Sequence, residues 1–184
     1  MGYSQNMKKI IISKLDAVRR QLFTAIRLYF NHGDIISMHT LAAAAFKITQ
    51  NICDNNKHLS DSMSDWVKDI VKTEHINLFW KKFHETTNFL KHAERDPDSV
   101  HEFYPEQTEM LLFVATQQYQ KLTREWSPEI RLFLIWFAMH NPKICNMPQE
   151  VTSFGLDMYS NDRNKFWREL MPALQQQIDQ GLIS

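Results

Sequence analysis

The chain has 184 residues, enough to bury one substantial core and too few for two comfortable ones, so a single domain over 1–184 is expected, with 1–7 as a flexible lead. Lys and Arg number 21, as do Asp and Glu, and the formal net charge of +0 leaves no global field to draw nucleic acid, an anionic membrane or an acidic partner; any such binding has to be local. A hydrophobic content of 43% with 12% aromatic residues, 4 Gly and 6 Pro argues against disorder and against many short strands, and favours helices.

Met1 to Met7, followed by Lys8 and Lys9, leads into amphipathic sequence and not into a continuous apolar run, so no secretion signal is expected. Gly2 is followed at the sixth position by Asn6 where a myristoylation pattern wants Ser or Thr. From Lys8 to Phe30 apolar residues fall at Ile11, Leu15, Val18, Leu22, Ala25 and Tyr29, the spacing of one helical face. Asn31-His32-Gly33 is a stop signal and Asp34 a candidate N-cap for a second helix whose face reads Met38, Leu41, Ala42, Ala45, Ile48 and Ile52. The two should form an antiparallel hairpin. The run Ala42 to Ala45 would let a neighbour approach closely, although Ala is also simply the best helix former.

Asp54 to Ser64 is polar and reads as a loop, and Asp65 to Lys72, with Trp66, Val67 and Ile70, reads as a short helix. A fourth helix is expected over about Glu74 to Ala93, with Ile76, Phe79, Phe83, Thr87 and Leu90 on its apolar face; Pro97 disfavours helical geometry at Asp96. Pro105, with Glu106 and Glu109 near the N-terminus, starts a fifth helix running through Met110 to Trp126. Ser127-Pro128-Glu129 starts a sixth. Its Leu132 to Met139 stretch is apolar without interruption, which suits a helix buried all round and is far too short to span a bilayer. His140-Asn141-Pro142 ends it, and Met147-Pro148 marks a further turn. A last segment from about Asp162 to Gln180, with Phe166, Leu170, Leu174 and Ile178 on one face, should be kinked or divided at Pro172. The expected fold is an all-α, single-domain bundle of about six to eight helices.

Cys53 and Cys145 lie far apart and neither belongs to a C-x-x-C pair, so they read as reduced thiols suited to the cytoplasm. No G-x-S-x-G, phosphate loop or dinucleotide motif is present. The most informative local feature is a polar strip on the fourth helix. With Phe83 at zero, Lys91, His84, Arg95, Asn88 and His92 fall between roughly 80° and 180°. Two histidines, an amide and two cations could bind a phosphate or carboxylate, with His92 as general acid or base near neutral pH; the competing account is a solvated helix face.

His84-Glu85-Thr86-Thr87-Asn88 departs from the H-E-x-x-H zinc motif at its last position. His92, Glu94, Asp96 and Asp98 could converge on a hard cation, but the glycine and terminal glutamate of an EF-hand loop are missing, so neither metal nor cofactor is expected. His39 flanks the core face of the second helix and could approach the fourth. Arg19, Arg20 and Arg27 read as surface or interhelical pairing residues; Arg131, at the start of so apolar a helix, should need a partner, with Asp96 or Asp98 as candidates. The expected site is His39, Asn88, Lys91, Arg95, Asp96 and Asp98 as ligand-binding residues, with His92 in any catalytic role.

The segment Asn88 to Asp98, together with Ala25 to Phe30 and His39 to Ala45, resembles a group of small bacterial helical proteins that brings no activity with it. Asn88-x-x-x-His92 is similar to the second half of the Arg-Asn-x-x-x-His signature of HEPN-type RNases, a family that is all-helical and usually dimeric, with a site shared across the dimer. Thr87 stands where that family has its arginine, so the charge that would stabilise a scissile phosphate is missing. Three readings follow: a helical module binding RNA, a small anion or a partner around Asn88 to Asp98; a metal-independent RNase using His92; and a structural homo-oligomer, such as a homodimer, suggested by Trp66, Trp80, Trp126, Trp136 and Trp167.

Overall fold

The computed structural model describes residues 9–55, 76–92, 94, 96–145, 153, 155, 157–159 and 161–182. Among them every regular element is helical: α1 (Lys14–Phe30), α2 (Ile35–Asp54), α3 (Ile76–Phe89), α4 (Pro105–Thr123), α5 (Pro128–His140), α6 (Pro142–Cys145) and α7 (Arg163–Asp179). The protein is an all-α bundle. The helix expected over Asp65 to Lys72, with Trp66, the Met147-Pro148 turn, the N-terminal lead and Arg95 lie outside the described residues.

The helix expected from Lys8 begins at Lys14, because Ser13 and Asp16 close a capping box: each side chain takes the other's backbone N–H at 3.0 Å. Ile11 is consequently 89% exposed and Leu15 lies at the margin, while Val18, Leu22, Ala25, Ile26 and Tyr29 enter the core with Phe23 and Phe30. The helix closes in a Schellman turn in which the Gly33 N–H reaches the Leu28 carbonyl at 2.8 Å. The left-handed position there is His32 (φ 51°), not the glycine. Gly33 is needed for closeness instead: a Cβ on it would lie 2.6 Å from Leu28 Cδ2.

Asp34 caps α2 by accepting the Ser37 N–H at 2.7 Å, and α1 and α2 form the expected antiparallel hairpin. The buried face of α2 is turned from the one expected. Met38, His39, Ala42, Ala43, Ala45, Phe46, Thr49 and Cys53 are inside, whereas Leu41, Ile48 and Ile52 are only partly covered. The cause is that α2 is wedged between α1 and α4, and two of its polar residues find buried partners on α4. His39 Nδ1 meets Thr108 Oγ1 at 3.1 Å, and the Thr49 hydroxyl meets Gln118 Oε1 at 2.6 Å.

α4 ends at Thr123 and not at Trp126, since Arg124 takes a left-handed conformation (φ 59°) and its N–H closes on the Gln120 carbonyl at 2.7 Å. Ser127 then caps α5, accepting the Ile130 N–H, with Pro128 in the first turn. α5 is not buried all round: α1, α4 and α7 cover Leu132, Phe133, Trp136, Phe137 and Met139, but Ile135 is 44% exposed on the side they leave open. α7 runs through Pro172 undivided. Phe166 is buried, Leu170, Met171 and Leu174 pack against the core, and the proline sits on the exposed side, where it removes only one backbone donor.

Arginines tie the outer layer together. Arg19 bonds Glu125 at 2.9 Å, Glu125 also receives the Tyr119 hydroxyl, and Arg27 pairs with Glu129 at 3.1 Å, so α1 is strapped to the α4–α5 junction. Arg131 lies over the Trp126 ring and donates to the Trp126 carbonyl at 3.1 Å, which supplies a neighbour that sequence reasoning sought in Asp96 or Asp98. Trp136 is buried and donates its indole N–H to the Tyr29 hydroxyl at 3.0 Å, while Trp126 is exposed.

Phe133 is fully buried, edge-on to Tyr29 at 5.5 Å. Phe133→Ala is expected to lower the unfolding free energy by about 3–5 kcal/mol, and Ile135→Ala on the open side of the same helix by less than about 1 kcal/mol. Denaturant titration of both variants checks this; equal losses would show that α5 is buried on both sides.

Candidate functional site

The expected polar strip does not stay on one helix. α3 stops at Phe89, and the chain turns as the N–H groups of Lys91 and His92 both close on the Asn88 carbonyl, at 3.1 and 3.0 Å. Lys91 and His92 therefore leave the helix axis and stand beside Asn88. Three cavities border this corner, and they divide the expected site residues between them.

The first is a cleft of about 280 Å³ between α2 and α3. Its floor is Ala43, Phe46 and Phe83, where the small Ala43 side chain leaves the space that Phe46 and Phe83, edge-on at 5.0 Å, frame. Its polar wall is Lys47 from α2, His84, Thr87 and Asn88 from α3, and Lys91 and His92 from the turn. Among the described residues no carboxylate lines it. His84 stacks on Trp80 with ring centroids 6.0 Å apart, and burial, with the nearby Lys47 charge adding to it, pushes the imidazole below its ordinary pKa and favours the neutral ring. His92 donates from Nδ1 to Glu94 at 2.9 Å, an exposed contact that orients its ring and leaves Nε2 for a ligand; Glu94 is not part of the lining.

The second cleft, about 540 Å³, lies on the other side of Asn88 and His92 and adds Glu85, Phe89, Asp96, Ser99, Val100 and His101. Its charge is mixed. Glu85 is tied to Lys82 at 3.1 Å, and that contact holds its carboxyl below the usual range. His101 is held from behind: Thr86, buried, donates its hydroxyl to Gln107 Oε1 at 3.1 Å and so receives the His101 Nε2–H at 2.7 Å, while the imidazole stacks on Phe89 at 5.1 Å.

The third cavity, about 310 Å³, is bordered by His39, Lys82, Phe83, Glu106, Gln107 and Met110. His39 is 1% exposed, so it belongs to the core and does not flank it; its ring also meets Phe103 edge-on at 5.5 Å. Burial above all, then the His101 and Lys91 charges, lowers its pKa to about 4 and keeps it neutral.

Of the expected residues, Asn88, Lys91 and His92 converge in the first cleft, and Asn88, His92 and Asp96 in the second. His39 stands apart in the third cavity, and Asp98 lines none of the three. Lys47, Thr86, His101 and Thr108 were not foreseen as site residues. Lys47 carried a signal, lying one turn beyond Ala43 beside the buried Phe46; His101 sits in an aperiodic connection and carried none. Among the described residues no three His, Cys, Asp or Glu side chains are grouped as metal ligands would be. No family model, no curated protein and no solved structure matches the chain.

Thr86→Val leaves His101 and Gln107 without their shared hydroxyl and is expected to lower stability by about 1–3 kcal/mol, while Thr86→Ser keeps most of it. Urea unfolding of the pair decides this; a valine variant as stable as the serine one would mean that the hydroxyl carries no hydrogen bond of consequence.

Proposed function

We propose that this protein is a helical binding module whose α2–α3 cleft takes a small oxyanion, a carboxylate or a phosphate group. One observation carries the reading: Lys47, His84, Lys91 and His92 surround a single cleft that no acidic side chain among the described residues lines. Lys47 and Lys91 supply the charge, and the Asn88 amide adds donors that fix orientation. Phe46, Phe83 and Ala43 give the apolar remainder of a ligand a surface to lie on. Both lysines are exposed, so the attraction is modest and weakens with salt.

RNA cleavage gains no comparable support. Thr87, which replaces the arginine of the HEPN signature, returns its hydroxyl to the Phe83 carbonyl at 3.2 Å, and no cation occupies that position on α3.

Titration with inorganic phosphate and with acetate, following the ring resonances of His84 and His92, tests the proposal and separates the two anion sources. Lys47→Ala and Lys91→Ala should each weaken binding about two- to fivefold. The pH dependence has a definite sign. A bound anion favours the imidazolium of His84, whose pKa is depressed in the unliganded cleft, so binding takes up protons and tightens as the pH falls. Histidine resonances that ignore both anions, or a double lysine variant that binds as the parent does, would sink the reading.

A further inference from the structure

The α2–α3 cleft and the second cleft share a wall. Asn88 and His92, both exposed, border the two spaces, and each cleft opens to solvent beside them. The two differ in charge. Lys47 and Lys91 border only the first, while Glu85 and Asp96 border only the second, where no lysine or arginine among the described residues joins them. Glu85 divides its charge with the exposed Lys82 at 3.1 Å, but Asp96 makes no ion pair among the described residues. His101 adds a third acceptor to the second cleft. Its Nε2–H is spent on Thr86, whose own hydroxyl goes to Gln107, so the neutral ring carries its lone pair on Nδ1. That nitrogen has no hydrogen-bond partner among the described residues and, unlike Nε2 of the buried His39, is not shut off from solvent.

We infer that the ligand of the anion site is a zwitterion, an amine-bearing carboxylate or phosphate whose two charges lie several bonds apart: its anionic end sits in the α2–α3 cleft and its ammonium group, reaching over Asn88 and His92, in the second. The inference rests on the anion-binding reading and names the ligand class of that same site. An ammonium group has three N–H donors and no acceptor, and the second cleft meets it with the Glu85 and Asp96 carboxylates and the His101 lone pair. Asn88 suits a shared wall, since its amide carries two donors for the anion and an acceptor for the cation. Phe89 and Val100 give the connecting methylenes apolar surface. An α-amino acid does not fit, because its two charged groups hang on one carbon and cannot stand on opposite sides of a side chain.

The probes are 6-aminohexanoate against hexanoate, and glycine against acetate. In protein carrying ¹⁵N-labelled histidine, hexanoate should move the His84 resonances and leave those of His101 still, because each of these rings borders only one of the two clefts, whereas 6-aminohexanoate should move both. The ammonium group should tighten binding about two- to fivefold, the range of an exposed ion pair, and glycine should gain nothing over acetate. Asp96→Asn, a change at an exposed position, should remove most of that gain. The inference is overturned if 6-aminohexanoate binds no tighter than hexanoate, if it leaves His101 unmoved, if glycine gains as much over acetate, or if Asp96→Asn keeps the full gain. Where hexanoate still moves His84 in any of these outcomes, the anion site stands and only the ammonium site falls; His84 unmoved by every probe removes both.

Discussion

The register between α2 and α4 rests on two buried hydrogen bonds, and the arrangement of the cavities depends on it. His39 meets Thr108 and Thr49 meets Gln118, with the same sequence offset of 69 in both pairs. Equal offsets mean that the two helices run parallel and in step over the stretch between the pairs, about ten residues or ~15 Å. Apolar surfaces tolerate sliding, because one methyl contact replaces another. Two polar pairs do not, since a slip by a single turn would part His39 from Thr108 and Gln118 from Thr49, at about 1–3 kcal/mol for each buried group left unpaired. The same pairs explain why α2 turns His39 and Thr49 inward and leaves Leu41, Ile48 and Ile52 at the edge.

α3 is held differently. It meets α2 through few residues, with Phe46, Trp80 and Phe83 forming the joint: Phe46 stacks near Trp80 at 6.4 Å, and Trp80 lies edge-on to Phe83 at 5.5 Å. Thr86 adds a second anchor through His101 and Gln107, and clefts border Phe83 and Asn88 on either side of the helix. Phe83 borders the oxyanion cleft on one side and the His39 cavity on the other, so one buried ring separates a basic site from a mainly apolar one.

The parts of the fold that could be read from the sequence are those whose causes are local. Ser127-Pro128, Asp34 and Asp162 cap helices with their own side chains, and the apolar spacing of α1 from Val18 to Tyr29 follows from 3.6 residues per turn. The start of α1 was missed by six residues, although the capping box of Ser13 and Asp16 is itself local: the apolar Ile11 outweighed it, and periodicity cannot tell an exposed isoleucine from a buried one. What could not be read has its cause far along the chain. The rotation of α2 is set by Thr108 and Gln118, the open side of α5 by which helices reach it, and the role of Thr86 by His101 and Gln107. The strip from His84 to His92 was visible as composition, but its division between two clefts follows from the end of α3 at Phe89, which no proline or glycine announces.

The formal neutrality of the chain hides how unevenly its charge is committed. Glu125 and Glu129 are occupied in strapping α1 to the α4–α5 junction, Asp16, Asp34 and Asp162 in capping helices, and Glu85 in pairing with Lys82. Each of these roles holds a carboxylate at a helix end or between helices, away from the α2–α3 cleft. Lys47 and Lys91 are left facing the same small space, whose polar lining among the described residues is otherwise amide, hydroxyl and imidazole groups. Coulomb attraction at a surface is short-ranged, falling off within about 10 Å at moderate salt. A site for an anion therefore does not need a basic protein; it needs only that nearby acids be engaged elsewhere, and in this bundle the requirements of capping and cross-linking the helices achieve that.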